Sequence, residues 1–443
     1  MSLVAENAGL IAILNEKGLA ERADRFVQQL RDELISEGGH LLELLPRSVF
    51  CEPDEVAEEG RRGHGLIGIQ TRLIVEALES NGREAFLDQF SVEGHDRDLV
   101  NWDELVSPTY LIARLDLLRV AGGFKCCEIN VDSCVAGAEI FDTARDSLST
   151  LGLPYAALPQ RPLDQLARLI ARKALELDSK RIVILDWSVG GGSGGKGYLN
   201  YDRMQAAIAR ASNLPVHVAD DQTYAAEWIA APEASRTFVH RGFMMEEIHD
   251  GGAFLRKLQS AGTHVLSTYE ADIRMDKGWF ALFWDAVRQG RASPAEADLI
   301  RDFVPETWQV DALNLPALAE RKDDLIFKTR RAFGGAGILV GSEVSASALR
   351  SAITKAGMSA WIAQDMLRAE RFDMPHEPGG GAVPHEMVYG LYLYGTDANG
   401  LLVRGSTCSR VVNVTAGKAR LSWALAVKRE DRAAFLRHLE MQL

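Results

Sequence analysis

The chain has 443 residues, 47% of them hydrophobic, enough to bury a large core spread over two or three packed modules. Its 49 Lys and Arg face 62 Asp and Glu, and the formal charge of −13 repels a phosphodiester backbone, which disfavours a nucleic-acid partner. No apolar stretch approaches membrane-spanning length, so the expectation is a cytoplasmic protein without a membrane partner, its oligomeric state open to a homodimer. The five cysteines, Cys51, Cys126, Cys127, Cys134 and Cys408, have neither CxxC pairing nor disulfide-scaffold density. They predict reduced thiols and no structural metal.

In chain order, residues 1 to about 105 place apolar positions at helical spacing, as in 10–14, 26–34 and 67–78, and predict a helical scaffold. From Tyr110 the pattern changes to strand, glycine turn and strand, followed by a helix over 138–151. Past Pro159 come a helix to about 177, a strand over 181–186, a glycine-rich loop, a helix over 201–212 and a strand over 216–219. That alternation predicts an α/β layer. A strand over 237–240, then Lys277 and a helix to 287, lead to a strand-rich part from Leu325. Glu377-Pro378-Gly379-Gly380-Gly381 interrupts it and reads as a flexible loop.

Two segments carry chemistry. In Arg114-Leu-Asp116 and Glu128-Ile-Asn130, residues two apart share one face of a strand. A three-residue loop of Ala121, Gly122 and Gly123 would set Val120 opposite Phe124, Asp116 opposite Glu128 and Arg114 opposite Asn130. Opposed carboxylates repel unless a cation or proton lies between them. Asp116, Glu128 and Asn130 offer the oxygen ligands that suit Mg²⁺ completed by nucleotide phosphates, and Arg114 can grip a phosphate oxygen. A surface hairpin whose carboxylates face water is the other reading of the same spacing.

The second segment runs from Leu325 through Lys328 and a loop with Gly334, Gly335 and Gly337 to Val340. Glycines let backbone amides approach a phosphate chain while a lysine on the strand supplies charge. Lys277 at a helix start can add a second cation. Trp361-Ile-Ala-Gln364-Asp365 fits the hinge on which an adenine hydrogen-bonds to backbone.

Taken together these blocks resemble the circularly permuted ATP-grasp family, which includes the synthetase domain of glutathionylspermidine synthase. The resemblance spans about 111–417 and lies in the order of its parts: Arg-x-Asp and Glu-x-Asn precede the lysine and glycine-loop blocks, and Arg404 with the Asn413-Val-Thr-Ala-Gly417 strand follows. Two departures are Thr329, where the family usually has proline, and Ala336, where it often has a basic residue; phosphate contacts then fall to Arg330 or Arg331. The resemblance implies an α/β chain of α+β modules with a permuted ATP-grasp fold. Residues 1–158 would hold the helical region and the magnesium hairpin, 159–265 a central α/β substrate domain, and 266–443 the nucleotide-binding portion.

It further implies an ADP-forming carbon-nitrogen ligase with ATP and Mg²⁺ as cofactors and a small-molecule carboxylate and amine as substrates. Lys277, Lys328, Gly334, Gly335, Gly337 and Gln364 would hold the nucleotide. Asp116, Glu128 and Asn130 would hold the metal, and Arg114 and Arg404 the transferring phosphoryl group. A nucleotide-binding scaffold without turnover is a second reading. A third is a P-loop kinase using Lys196, because six of the eight residues 190–197 are glycine and Gly195-Lys196 falls at P-loop spacing. Gly197 stands where that motif needs a hydroxyl, so the run reads instead as a loop covering substrate.

Overall fold

The computed structural model describes residues 18, 20–36, 43–132, 135, 137–149, 161–188, 201–332, 336–412, 414, 419–432, 434 and 437. Among them, β1 (Val49–Cys51) precedes the hairpin of β2 (Ile112–Val120) and β3 (Gly123–Val131). Four short strands follow: β4 (Arg181–Leu185), β5 (Val216–Ala219), β6 (Thr237–Arg241) and β7 (His264–Leu266). Next are β8 (Thr307–Gln309), β9 (Leu325–Thr329), β10 (Ile338–Val340) and β11 (Trp361–Asp365). The last are β12 (Arg371–Pro375), β13 (Ala382–Tyr394), β14 (Asp397–Ser406) and β15 (Arg420–Ala426).

These strands make three sheets. The largest runs β1-β15-β14-β13-β2-β3, with β12 also paired to β13, so the carboxylate hairpin hydrogen-bonds to strands from the far end of the chain. Alternation gives this sheet two apolar faces. On one, Leu115, Leu117, Leu391, Leu393 and Val403 pack against Leu66, Ile67 and Leu73 of the helix Pro53–Gln89. Gly63 lets that helix come close, since a Cβ there would stand 2.6 Å from Leu115 Cδ1. On the other face, Ile112, Tyr392, Leu402 and Trp423 meet Phe141 of the helix Ala138–Ser149 and Leu166 and Ile170 of the helix Pro162–Glu176. Each such aliphatic side chain, fully buried, contributes about 2 kcal/mol.

The second sheet, β5-β4-β6-β7, is entirely parallel, and the helix Tyr201–Ser212 connects β4 to β5. This is the α/β layer that the alternation of elements predicts. The third, β10-β9-β11-β8, is antiparallel. Leu349 and Ile353 of the helix Ala346–Ala356 pack onto its Phe327 and Ala363. The glycine-rich insertion after Glu377 forms the turn between β12 and β13. It is tied down by Gly379 N, which donates to Asp24 Oδ2 at 2.7 Å.

No helix among the described residues is long and apolar enough to cross a membrane. Cys51, Cys126, Cys127 and Cys408 are free thiols. Cys134 and the glycine run 190–197 with Lys196 lie outside the described residues.

Candidate functional site

The hairpin differs from expectation at its turn and agrees at its carboxylates. Val120 pairs with Gly123, so the loop is the two residues Ala121 and Gly122, with Gly122 at φ 97° and Gly123 at φ 140°, a region open to glycine. A β-bulge then shifts the register: Leu117 faces Cys126, but Asp116 faces Glu128 and Arg114 faces Asn130. Cys127 is the extra residue. Arg114 and Asp116 alternate onto the face of β2 that carries Ile112, with Asn130 and Glu128 opposite them on β3.

The cations that the opposed carboxylates require are present. Arg114 Nε lies 3.2 Å and Arg404 Nη2 2.5 Å from Asp116 Oδ1. Arg404 comes from β14 and reaches Asp116 across β13, where Gly390 is the residue paired with Asp116. A Cβ at Gly390 would stand 2.7 Å from Arg114 Cδ, so only glycine leaves room for that side chain. Burial by itself would raise the Asp116 carboxyl; Arg404 and Arg114 outweigh it and hold it down at about 2. Lys277 Nζ stands 3.1 Å from Glu128 Oε1. Asn130 Nδ2 donates to Arg114 O at 3.3 Å.

Lys328 projects from β9 of the third sheet and is buried. Its Nζ donates to Gln364 Oε1 at 2.8 Å and to Cys127 O, the bulge carbonyl, at 3.0 Å. Gln364, read from sequence as part of a nucleotide hinge, is buried and spends its amide on Thr307 Oγ1, 3.1 Å away on β8. It therefore orients Lys328. The two lysines end on neighbouring residues of β3, Lys328 on Cys127 and Lys277 on Glu128.

The phosphate role expected of Arg330 or Arg331 meets a different arrangement. Arg330 forms a fork on Asp276, and Arg331 donates to Phe90 O and to Ser91 O just past the helix Pro53–Gln89, whose terminal carbonyls favour a cation. Gly337 has φ 66°, and a Cβ there would stand 2.0 Å from Thr329 Oγ1, so it serves the close return of the chain beside β9. Gly334 and Gly335 lie outside the described residues, as do Asn413 and Gly417. Gly390, Thr307 and Asp276 carry no motif in the sequence; a lone glycine inside the β13 pattern is the one signal for the first.

Asp116, Glu128 and Asn130 present oxygens from facing strands, with the two carboxylates paired to Arg114, Arg404 and Lys277. Two carboxylates and one amide on facing strands are hard oxygen ligands too few for a full cage. Among the described residues no three or more His, Cys, Asp or Glu cluster as a metal group. Arg404 Nε is buried without a hydrogen-bond acceptor among the described residues, which leaves a donor for an anionic oxygen.

Two more buried groups border this region. Arg241, fully buried on β6, meets Asp132 at 3.2 Å and Asp272 at 3.4 Å, tying the parallel sheet to the end of the hairpin. Burial pushes the Asp272 carboxyl up to about 7 although Arg241 opposes it. Burial likewise pushes Glu139 up from 4.5 to about 7 against backbone amides and Arg114. A carboxyl raised in the folded state contributes stability that is present below its unfolded value and is lost as pH climbs through the folded one. Thermal melting should therefore show stability falling between pH 4.5 and about 7, with each group adding up to about 1.4 kcal/mol per pH unit. Glu139→Gln should remove its share of that slope; an unchanged slope would assign the effect elsewhere.

No protein-family model matches this chain, and no curated protein matches it. Among solved structures it is similar to a glutathione synthetase-like effector from Globodera pallida in its apo form, with a TM-score of 0.57 at 11% identity. The match covers 91% of this chain and 97% of that one. The fold is glutathione synthetase-like. At that identity the likeness concerns architecture alone, and the glutathione synthetase-like fold is the frame within which the hairpin and the third sheet meet.

Proposed function

We propose that the chain is an ATP-dependent carbon-nitrogen ligase of the circularly permuted ATP-grasp type. It joins a small-molecule carboxylate to an amine and forms ADP. The observation that supports this reading is the convergence of Lys277 and Lys328, from separate elements, on neighbouring residues of the strand that carries Glu128 and Asn130. A phosphate chain held by the two ammonium groups would lie over the carboxylate face.

When bound, Mg²⁺ and ATP supply the γ-phosphoryl group and neutralise its charge. Asp116, Glu128 and Asn130 would hold the metal, which obliges Lys277 to turn from Glu128 to phosphate. Arg114 and Arg404 would stabilise the transferring phosphoryl group and the acyl phosphate, which forms as an oxygen of the substrate carboxylate bonds to phosphorus and ADP departs. The amine then attacks the acyl carbon, phosphate leaves and the amine loses a proton. Because the work is positioning and charge neutralisation, no protein nucleophile is needed.

The test is ADP release measured over a panel of amino acids, peptides and polyamines, with mass detection of condensed product. ADP and a product formed one for one by an acid and amine pair are expected. ATP binding without ADP release from any pair would favour a nucleotide-binding scaffold instead.

A further inference from the structure

Lys277 and Lys328 stand on different elements, and two like charges that serve one ligand need a fixed separation. Between them lies a buried clamp. Asp276 immediately precedes Lys277, and its side chain is 1% exposed. Arg330, two residues after Lys328, grips it with both arms: Nε to Oδ1 at 2.9 Å and Nη2 to Oδ2 at 3.0 Å. A fork on a carboxylate sets orientation as well as distance. The backbone closes the same bridge, with Lys277 N donating to Arg330 O at 3.1 Å.

The next residue, Gly278, completes the clamp. Its N donates to Asp276 Oδ1 at 2.7 Å. A Cβ at Gly278 would stand 2.6 Å from Arg330 Nε and 2.8 Å from Asp276 Oδ1, so the ion pair fills the space any other side chain would take. Arg330 Nη1 also donates to Gln89 O at 3.1 Å, which anchors the clamp to the end of the long helix.

We propose that Asp276, acting through Arg330, is a positioning residue that sets the separation of the Lys277 and Lys328 ammonium groups for the phosphate chain of a nucleotide. This rests on the nucleotide-binding reading above. Losing the fork leaves both lysines chemically intact but lets the helix start and the end of β9 drift apart, so affinity for phosphate falls.

The experiment is calorimetry of a non-hydrolysable ATP analogue with Mg²⁺, on the wild type and on Asp276→Asn and Gly278→Ala, each also in a Lys328→Met background. Each substitution should weaken binding about tenfold in the wild-type background and less than about twofold once Lys328 is gone, because neighbours acting through one another are not additive. Equal losses in both backgrounds would make the clamp purely structural and overturn the proposal. Gly278→Ala keeps every charge, and its gain in helix propensity offsets part of the close contact of the new Cβ, so it carries the test if Asp276→Asn does not fold. A wild type that binds no analogue defeats the nucleotide reading itself, whereas tight wild-type binding with additive losses defeats only this inference.

Discussion

Glu128→Gln is expected to lower Mg²⁺-dependent ADP formation about a hundredfold or more at a smaller cost in thermal stability than Asp116→Asn. Glu128 is half-buried, and its side chain contacts Lys277 at 3.1 Å. Removing its charge takes away a metal ligand, and the buried Lys277 ammonium keeps Ala332 O, 2.7 Å away, as an acceptor. Asp116→Asn should cost activity by a similar factor but should also destabilise the fold, because Arg114 and Arg404 would lose the carboxylate that offsets their charges in a buried place. Breaking a buried pair on one side costs about 3–5 kcal/mol. Turnover assays beside melting curves separate the two positions. Normal ADP formation by Glu128→Gln would sink the metal assignment.

Lys328→Met is expected to weaken ATP binding about a hundredfold, close to 3 kcal/mol, by removing a buried cation while keeping its apolar stem. Gln364 Oε1 and Cys127 O would each lose their donor, so a loss of about 1–3 kcal/mol in stability should accompany it. Lys196→Met, made in parallel, should leave ATP affinity alone. The reverse pattern in calorimetry would move the nucleotide to the glycine run and support the P-loop reading.

Elements fixed by local periodicity were legible without coordinates. The helix Tyr201–Ser212 and the strand Val216–Ala219 fall where spacing put them, because each carries its whole apolar pattern within its own length. The strands β1, β7 and β8 are three residues each, too short for alternation to register. The spacing predicts Asp116 opposite Glu128 through a three-residue turn; the structure has a two-residue turn and the same pairing, because a bulge makes up the residue that the shorter loop lacks. Nothing in the run Lys125-Cys126-Cys127 announces that bulge. Arg330 and Arg331 looked available because they flank a glycine loop; the groups that occupy them, Asp276 and the helix end at Gln89 and Phe90, are distant in sequence. Gln364 was placed on the right strand, but its side-chain partner was out of reach of sequence reasoning for the same reason.

The bulge at Cys127 makes ladder register and lysine docking separable properties. A bulge leaves its extra residue outside the ladder, and here the Cys127 carbonyl is the one that accepts from Lys328. Deleting Cys127 would turn the hairpin into a regular ladder in which Asp116 still faces Glu128, yet the docking carbonyl would be gone. Such a one-residue deletion should retain Mn²⁺ binding in the presence of nucleotide, read by electron paramagnetic resonance, while nucleotide affinity drops toward that of Lys328→Met. A hairpin of this kind can lose or gain a residue without scrambling its carboxylates, so chain length at this turn is free to vary only where the third sheet finds another place to rest its lysine.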